Sequence, residues 1–265
     1  MASIVVSGSF DNLRSPGVRF LHEASRLGRV HVRLWSDAAI ERESGEPPRF
    51  PEAERQYLVQ AIRYVASVEL VQQACDLRPA ATGDWTYVDT IARADVRERC
   101  RAAGMAYHVI PSGDLVGFPE HAVQETPGGR KKVIVTGCYD WLHSGHVRFF
   151  EEAAAYGCLY VVVGNDANVR RLKGDGHPQF RQEERRYLVG AIRHVHRAMV
   201  STGAGWLDAE PEIAEIRPDI YIVNEDGDKP EKRDFCERRG IEYIVLRRVP
   251  REGLPRRQST DLRGF

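Results

Sequence analysis

Residues 136–150 read TGCYDWLHSGHVRFF, and residues 7–21 read SGSFDNLRSPGVRFL. Gly8 and Gly137 stand 129 positions apart, as do Asp11 and Asp140, Ser15 and Ser144, and the triplets Val18-Arg19-Phe20 and Val147-Arg148-Phe149. Gly28 with Gly157, Asp37 with Asp166, and Gly45 with Gly174 keep that register. After one inserted residue, ERQYLVQAIRYV at 54–65 returns as ERRYLVGAIRHV at 184–195. Farther on, Cys100, Gly104 and Tyr107 are echoed by Cys236, Gly240 and Tyr243. A tandem duplication explains so many identities in register. Its halves run over 1–111 and 131–265, and the stretch 112–130, carrying Gly, Pro and polar residues, reads as a linker.

Each half alternates strand and helix. Ser3-Ile4-Val5-Val6 and Lys132-Val133-Ile134-Val135 are β-branched runs suited to buried strands. A Gly-containing turn follows each, then a helical segment, VRFLHEASRLG or VRFFEEAAAYG, whose final glycine is expected in a left-handed cap. Second apolar runs, VHVRLW and LYVVVG, precede long helices beginning near Glu54 and Glu184, and the last strands are expected over 107–110 and 243–246. Strands alternating with helices give a parallel sheet covered on both faces. Right-handed crossovers make each half a Rossmann-like, doubly wound α/β unit. Ligands of such sheets bind at the carboxyl ends of the strands.

Thirty-eight basic and thirty-eight acidic residues cancel. A neutral chain offers no bulk attraction to nucleic acid or to a membrane surface, so any anion site is local. The five cysteines are scattered without CxxC spacing, which suits free thiols in a reducing compartment. MASIVVSGSF is no basic leader with a long apolar stretch, and no run approaches the roughly 20 apolar residues of a spanning helix. A soluble, cytoplasmic protein is expected.

The chemistry concentrates in the second half, where the first strand runs straight into GCYDWLHSGH. His143 and His146, spaced i, i+3, can point the same way if a helix starts there. Gly137 and Gly145 allow close backbone approach. A helix N-terminus offers free N–H groups and partial positive charge to a phosphate. A bare HxGH is also compatible with surface histidines or half of a metal site. The longer pattern, after a strand and before a helix, is far more specific.

GCYDWLHSGH resembles the signature of the cytidylyltransferase-like nucleotidyltransferases, which include glycerol-phosphate and ethanolamine-phosphate cytidylyltransferases and the nucleotidyltransferase domain of ADP-heptose synthase. VVVGNDANVRRLKGDGHP is similar to a loop of the ADP-heptose enzyme. ERRYLVGAIRHV is similar to a helix of the cytidylyltransferases, and RRQSTDL resembles the second signature. The resemblance implies transfer of a nucleoside monophosphate from CTP or ATP to a small phosphorylated acceptor, with release of pyrophosphate. By the same resemblance, His143 and His146 contact the triphosphate and stabilise the transition state. Lys173 faces the α-phosphate or the acceptor, and Arg193, assisted by Arg185, holds the acceptor's anion. Gly137, Cys138, Tyr139, Asp140 and Gly145 line the nucleotide cleft, with Asn224 and Asp226 near the base. Arg257, Ser259 and Thr260 meet the β- and γ-phosphates, the basic residue of that signature being ambiguous among Arg248, Arg256 and Arg257. Mg²⁺ travels with the triphosphate. Asp140 either helps hold it or caps the turn.

At the matching positions the first half carries Arg14 and Gly17 instead of histidines, and Ser44 at the Lys173 position. The first half is therefore expected to keep the fold without catalysis, as the partner in a pseudo-dimer within the chain; a homodimer also fits relatives of this kind. The tandem layout favours CTP as donor, and the RLKGD loop favours ATP. A catalytically inactive nucleotide-binding regulator is the alternative reading, and a class I ligase-type enzyme a third.

Overall fold

The computed structural model describes residues 2–79, 81–122 and 125–262. The chain divides into two units, Met1–Phe118 and Pro119–Phe265. In the first, β1 (Ser3–Gly8), α1 (Ser15–Leu27), β2 (Arg29–Trp35), α2 (Asp37–Ser44), α3 (Glu52–Ala61), β3 (Val65–Val71), β4 (Trp85–Asp89), α4 (Ala94–Ala102) and β5 (Ala106–Val109) follow in order. Its sheet is parallel, in the order β3-β2-β1-β4-β5. The second unit runs β6 (Lys132–Gly137), α5 (Ser144–Ala154), β7 (Cys158–Val163), α6 (Asp166–Lys173), α7 (Gln182–Gly190), β8 (Val195–Val200), α8 (Glu210–Ile216), β9 (Ile220–Asn224), α9 (Pro230–Arg239) and β10 (Glu242–Leu246). Its parallel order, β10-β9-β6-β7-β8, is the same topology. These are two tandem Rossmann-like α/β units. Among the described residues no helix is long and apolar enough to cross a membrane.

All six residues of β7 are buried, as a strand covered on both faces requires. In the second unit the core beneath α8 and α9 gathers Ile134, Val162, Ile213, Tyr221, Phe235 and Cys236. The matching core of the first contains Val5, Trp85, Tyr87, Val96, Cys100 and Met105. From the central strand the chain leaves toward β7 on one side, and β9 returns on the other. That reversal opens a crevice at the carboxyl edge.

Two local expectations change. Gly28 is no left-handed cap: its φ of 162° and ψ of −163° are extended. Glycine is needed there because a Cβ would stand 2.2 Å from the Ala2 carbonyl oxygen, and the same holds for Gly157 against the Lys131 oxygen. Those carbonyls accept from Arg29 and Cys158, so each glycine lets β2 or β7 begin pairing at once. The first helix of each unit also starts earlier than its apolar run, at Ser15 and Ser144.

The stretch read as a linker is shared between the units. Residues 112–115 form a 3-10 turn, and Arg19 donates to the Asp114 carbonyl at 2.6 Å. His121 lies 2.8 Å from the Tyr187 carbonyl and stacks on that ring, and Thr126 bonds the Tyr160 hydroxyl. Backbone and ring contacts, which a composition-based boundary ignores, decide these allegiances.

Candidate active site

The turn between β6 and α5 is held by three devices. Tyr139 adopts a left-handed φ of 51°, unusual for a residue with a side chain. Its ring folds back so that a Cβ on Gly137 would meet it at 2.7 Å; only glycine fits. The Asp140 carboxylate accepts from the Gln179 amide at 2.8 Å and the Phe180 amide at 3.0 Å, tying the turn to the segment before α7.

Arg185 is the third device. It is fully buried and donates to the carbonyls of Phe180 (2.8 Å), Cys138 (2.6 Å) and Gly164 (2.8 Å), and to Asp166 (2.6 Å). Four of its five N–H donors are thus engaged within the protein. The expected acceptor-binding role of Arg185 is corrected to a frame role.

On this frame His143 caps α5, its Nδ1 accepting from the Gly145 amide at 3.1 Å. A neutral imidazole with Nδ1 accepting carries its proton on Nε2. The His143 and His146 rings stack, with centroids 3.9 Å apart and planes 22° apart. Gly145 leaves room for this, since a Cβ there would lie 3.0 Å from the His143 ring. Burial pushes His143 down to about 3, with Arg248 and Arg257 adding repulsion. Burial also holds His146 well below its usual range, helped by His143, Arg248 and Lys173 and opposed by a hydrogen bond with the Trp141 backbone. Both imidazoles are neutral at pH 7. His143 Nε2 and His146 Nδ1 are buried with no hydrogen-bond partner among the described residues. A buried polar atom left unsatisfied costs about 1–3 kcal/mol, so a ligand that meets these nitrogens binds with that penalty removed.

The histidines open onto a cleft of about 670 Å³ at the carboxyl edge of the sheet. Gly137, Cys138, Tyr139, Asp140, Gly145 and His146 line its centre. Lys173, Asn224, Asp226 and Ser259 also line it, so most of the sequence-predicted site converges here. Burial raises the Cys138 thiol above its usual range, which leaves it protonated. Arg248 reaches this cleft, held by Asp226 at 2.6 Å and by the Arg257 carbonyl at 3.0 Å. Arg256 and Arg257 line an adjoining hollow beside Gly145 and Arg148. Of the three arginines in question, Arg248 is the one in the cleft. Lys232, on α9, lines it too and was not read from the sequence.

Two expected residues stand apart. Arg193 is exposed and precedes β8 at the amino edge of the sheet, roughly 20 Å of strand from the cleft. It does not line the site, and its expected contact with the acceptor is corrected. Its sequence signal lay in a helix-to-strand junction, which in a parallel sheet faces away from the ligand edge. The Thr260 side chain lies outside the described residues.

A cytidylyltransferase-like family profile matches residues 134–253. An FAD synthase of Aciduliprofundum boonei is 36% identical over 119 residues, covering 44% of this chain and 76% of that protein. The chain belongs to the cytidylyltransferase-like family of nucleotidyltransferases. Another relative, the bifunctional protein HldE of Wolinella succinogenes, is 38% identical over 102 residues, 37% of this chain but 20% of that protein. A solved structure, the lipopolysaccharide core biosynthesis protein from Thermoplasma volcanium, aligns with 27% identity and a TM-score of 0.40, over 47% of this chain and 100% of that one.

The cytidylyltransferase-like match lies in the second unit, yet its frame recurs in the first. Asp11 accepts from the Arg49 and Phe50 amides at 2.8 and 2.9 Å. Arg55 donates to the carbonyls of Phe50, Ser9 and Trp35 and to Asp37. Phe10 takes the left-handed position of Tyr139, with a φ of 45°. What differs is the reactive pair: Arg14, bonded to Asn12 at 2.9 Å, stands where His143 does. The corresponding Asp140 and Arg185 contacts are therefore framework, since they persist where the histidines do not.

Proposed function

We propose that the second unit transfers a nucleoside monophosphate from a nucleoside triphosphate to a small acceptor bearing a phosphate, releasing pyrophosphate. The observation that carries this is the stacked, neutral His143–His146 pair, its unpartnered nitrogens buried at the N-terminus of α5. Of the two donors, ATP is favoured over CTP. A relative named for making a flavin adenine dinucleotide matches over most of its length, whereas the case for CTP rests on the tandem layout alone.

In this reading an oxygen of the acceptor's phosphate attacks the α-phosphorus in line. A new P–O bond forms as the bond to the β-phosphate bridging oxygen breaks, and pyrophosphate takes the electron pair. A phosphate monoester has a second pKa of about 6, so it is largely dianionic at pH 7 and no general base is needed. Neutral imidazoles suit the remaining task, meeting the phosphoryl oxygens without storing a proton. Lys173 and Arg248 supply fixed positive charge.

Mg²⁺ is proposed to arrive on the triphosphate. The carboxylates lining the cleft do not form a ready cage for it: Asp140 is held by two backbone amides and Asp226 by Arg248. Among the described residues, no cluster of three His, Cys, Asp or Glu is placed to hold a metal ion. The first unit, with Arg14 and Gly17 at the histidine positions, is proposed to be non-catalytic.

The test is melting temperature with Mg²⁺ and either ATP or CTP, on the wild type and on His146→Ala. A ligand at 100 times its dissociation constant stabilises by about 2.7 kcal/mol. A shift with ATP that weakens in the variant, followed by pyrophosphate release with phosphorylated acceptors, is the expected result. A shift with CTP alone reverses the donor. A shift without pyrophosphate release from any acceptor favours a nucleotide-binding regulator.

A further inference from the structure

Lys232 occupies an unusual position. It is the third residue of α9, is 8% exposed, and lines the cleft together with His146 and Lys173. Its ammonium has three donors, and its hydrogen bond is a long one, 3.4 Å to the Gly227 carbonyl. Among the described residues no carboxylate lies within ion-pair distance, although the charge of Asp208 acts on it. A buried charge without a close partner is unfavourable.

The other half shows what the fold alone asks for at that position. Ala94 and Pro230 open α4 and α9, and these helices share a register of 136 through Cys100 and Cys236, Gly104 and Gly240, Tyr107 and Tyr243. Lys232 corresponds in that register to Val96, which is 2% exposed and packs in the core with Trp85, Tyr87 and Cys100. The unit without the histidines therefore fills the slot with an apolar side chain. The unit with them places an ammonium there and directs it at the cleft.

Which substrate it meets follows from the distribution of charge. Lys173 enters from α6, which follows β7, on one side of the central strand. Lys232 enters from α9, which follows β9, on the other side, where Arg248 is also anchored through Asp226. The β9 side thus presents two cations and the β7 side one. A nucleoside triphosphate carries about twice the charge of a phosphate monoester. We propose that Lys232 is a donor-binding residue, its ammonium hydrogen-bonding an oxygen of the nucleoside triphosphate from the β9 side of the cleft. The inference rests on the nucleotidyltransferase reading above.

The experiment is calorimetric titration of the full chain with Mg²⁺ and whichever of ATP or CTP shifts the wild type, without acceptor, on Lys232→Met and Lys232→Gln. The methionine variant is expected to melt at or above the wild-type temperature, because it restores an apolar side chain to a core slot. Its dissociation constant for the nucleotide should rise at least tenfold, and the glutamine variant, which keeps a donor, should fall between. In steady state the KM for the triphosphate should rise while that for the acceptor stays within twofold. A folded methionine variant with an unchanged nucleotide affinity overturns the proposal, as does unfolding of both variants. A wild type that binds neither nucleotide overturns the functional reading itself, a result distinct from either.

Discussion

The depressed His143 makes stability depend on acidity in a calculable way. In the unfolded chain an imidazole takes up its proton as pH falls through about 6.5. In the folded protein burial holds His143 unprotonated down to about 3. Between those values the unfolded state binds the extra proton, so stability is fully present above pH 6.5 and is lost as pH falls. Each pH unit in that window costs about 1.4 kcal/mol for one histidine, or roughly 2 kcal/mol by pH 5. The perturbation that isolates it is His143→Asn. Asparagine is a good N-cap and can still accept from the Gly145 amide, but it does not titrate. Urea unfolding followed at pH 7.5, 6 and 5 should show the stability gap between wild type and variant shrinking by about 2 kcal/mol as the wild type loses its contribution. A gap constant across that range would mean that His143 titrates normally, and with it the neutral-imidazole account would fail.

His146→Ala should lower kcat by about 10²–10³ with a smaller effect on KM, because an oriented hydrogen-bond donor acts mainly in the transition state. Arg185→Met should destabilise the second unit by about 3–5 kcal/mol, as it strips partners from three carbonyls and leaves Asp166 unpaired. Arg193→Ala should leave kcat/KM within about twofold, measured by pyrophosphate release, because that residue stands at the opposite edge of the sheet. Gly137→Ala should weaken nucleotide binding by at least tenfold in a titration, since the new methyl displaces the Tyr139 ring from a contact of 2.7 Å.

Much of this was legible in the sequence because the duplication repeats it. Two appearances of GxxD in register, each after a β-branched run, placed the strand-to-helix turns and hence the edge at which a ligand binds. The central strands were clear because they are apolar throughout, as in CLYVVV. The edge strands were not: VHRAMV and VASVELV are half exposed and carry polar residues, so they lack the signal of a buried strand. Arg185 and Arg193 illustrate a different limit. An arginine near a presumed anion site looks like a ligand in one dimension. Only the fold shows that Arg185 is spent on carbonyls and that Arg193 sits at the wrong end of a strand. Lys232 was missed because nothing in PEKRDFCERR distinguishes one lysine of a charged helix from a solvated one. Its comparison with Val96 becomes informative once burial is known.

The shared Asp–Arg framework has a consequence for how such a protein changes. Asp11 with Arg55 and Asp140 with Arg185 hold the same turn in both halves, independently of what stands on it. The mould and the reagents are separately mutable. Histidines can be erased without collapse, and the scar left at Arg14 and Gly17 sits in a loop still shaped to receive them. A pair of substitutions there would test whether a silent copy is one short step from speaking again.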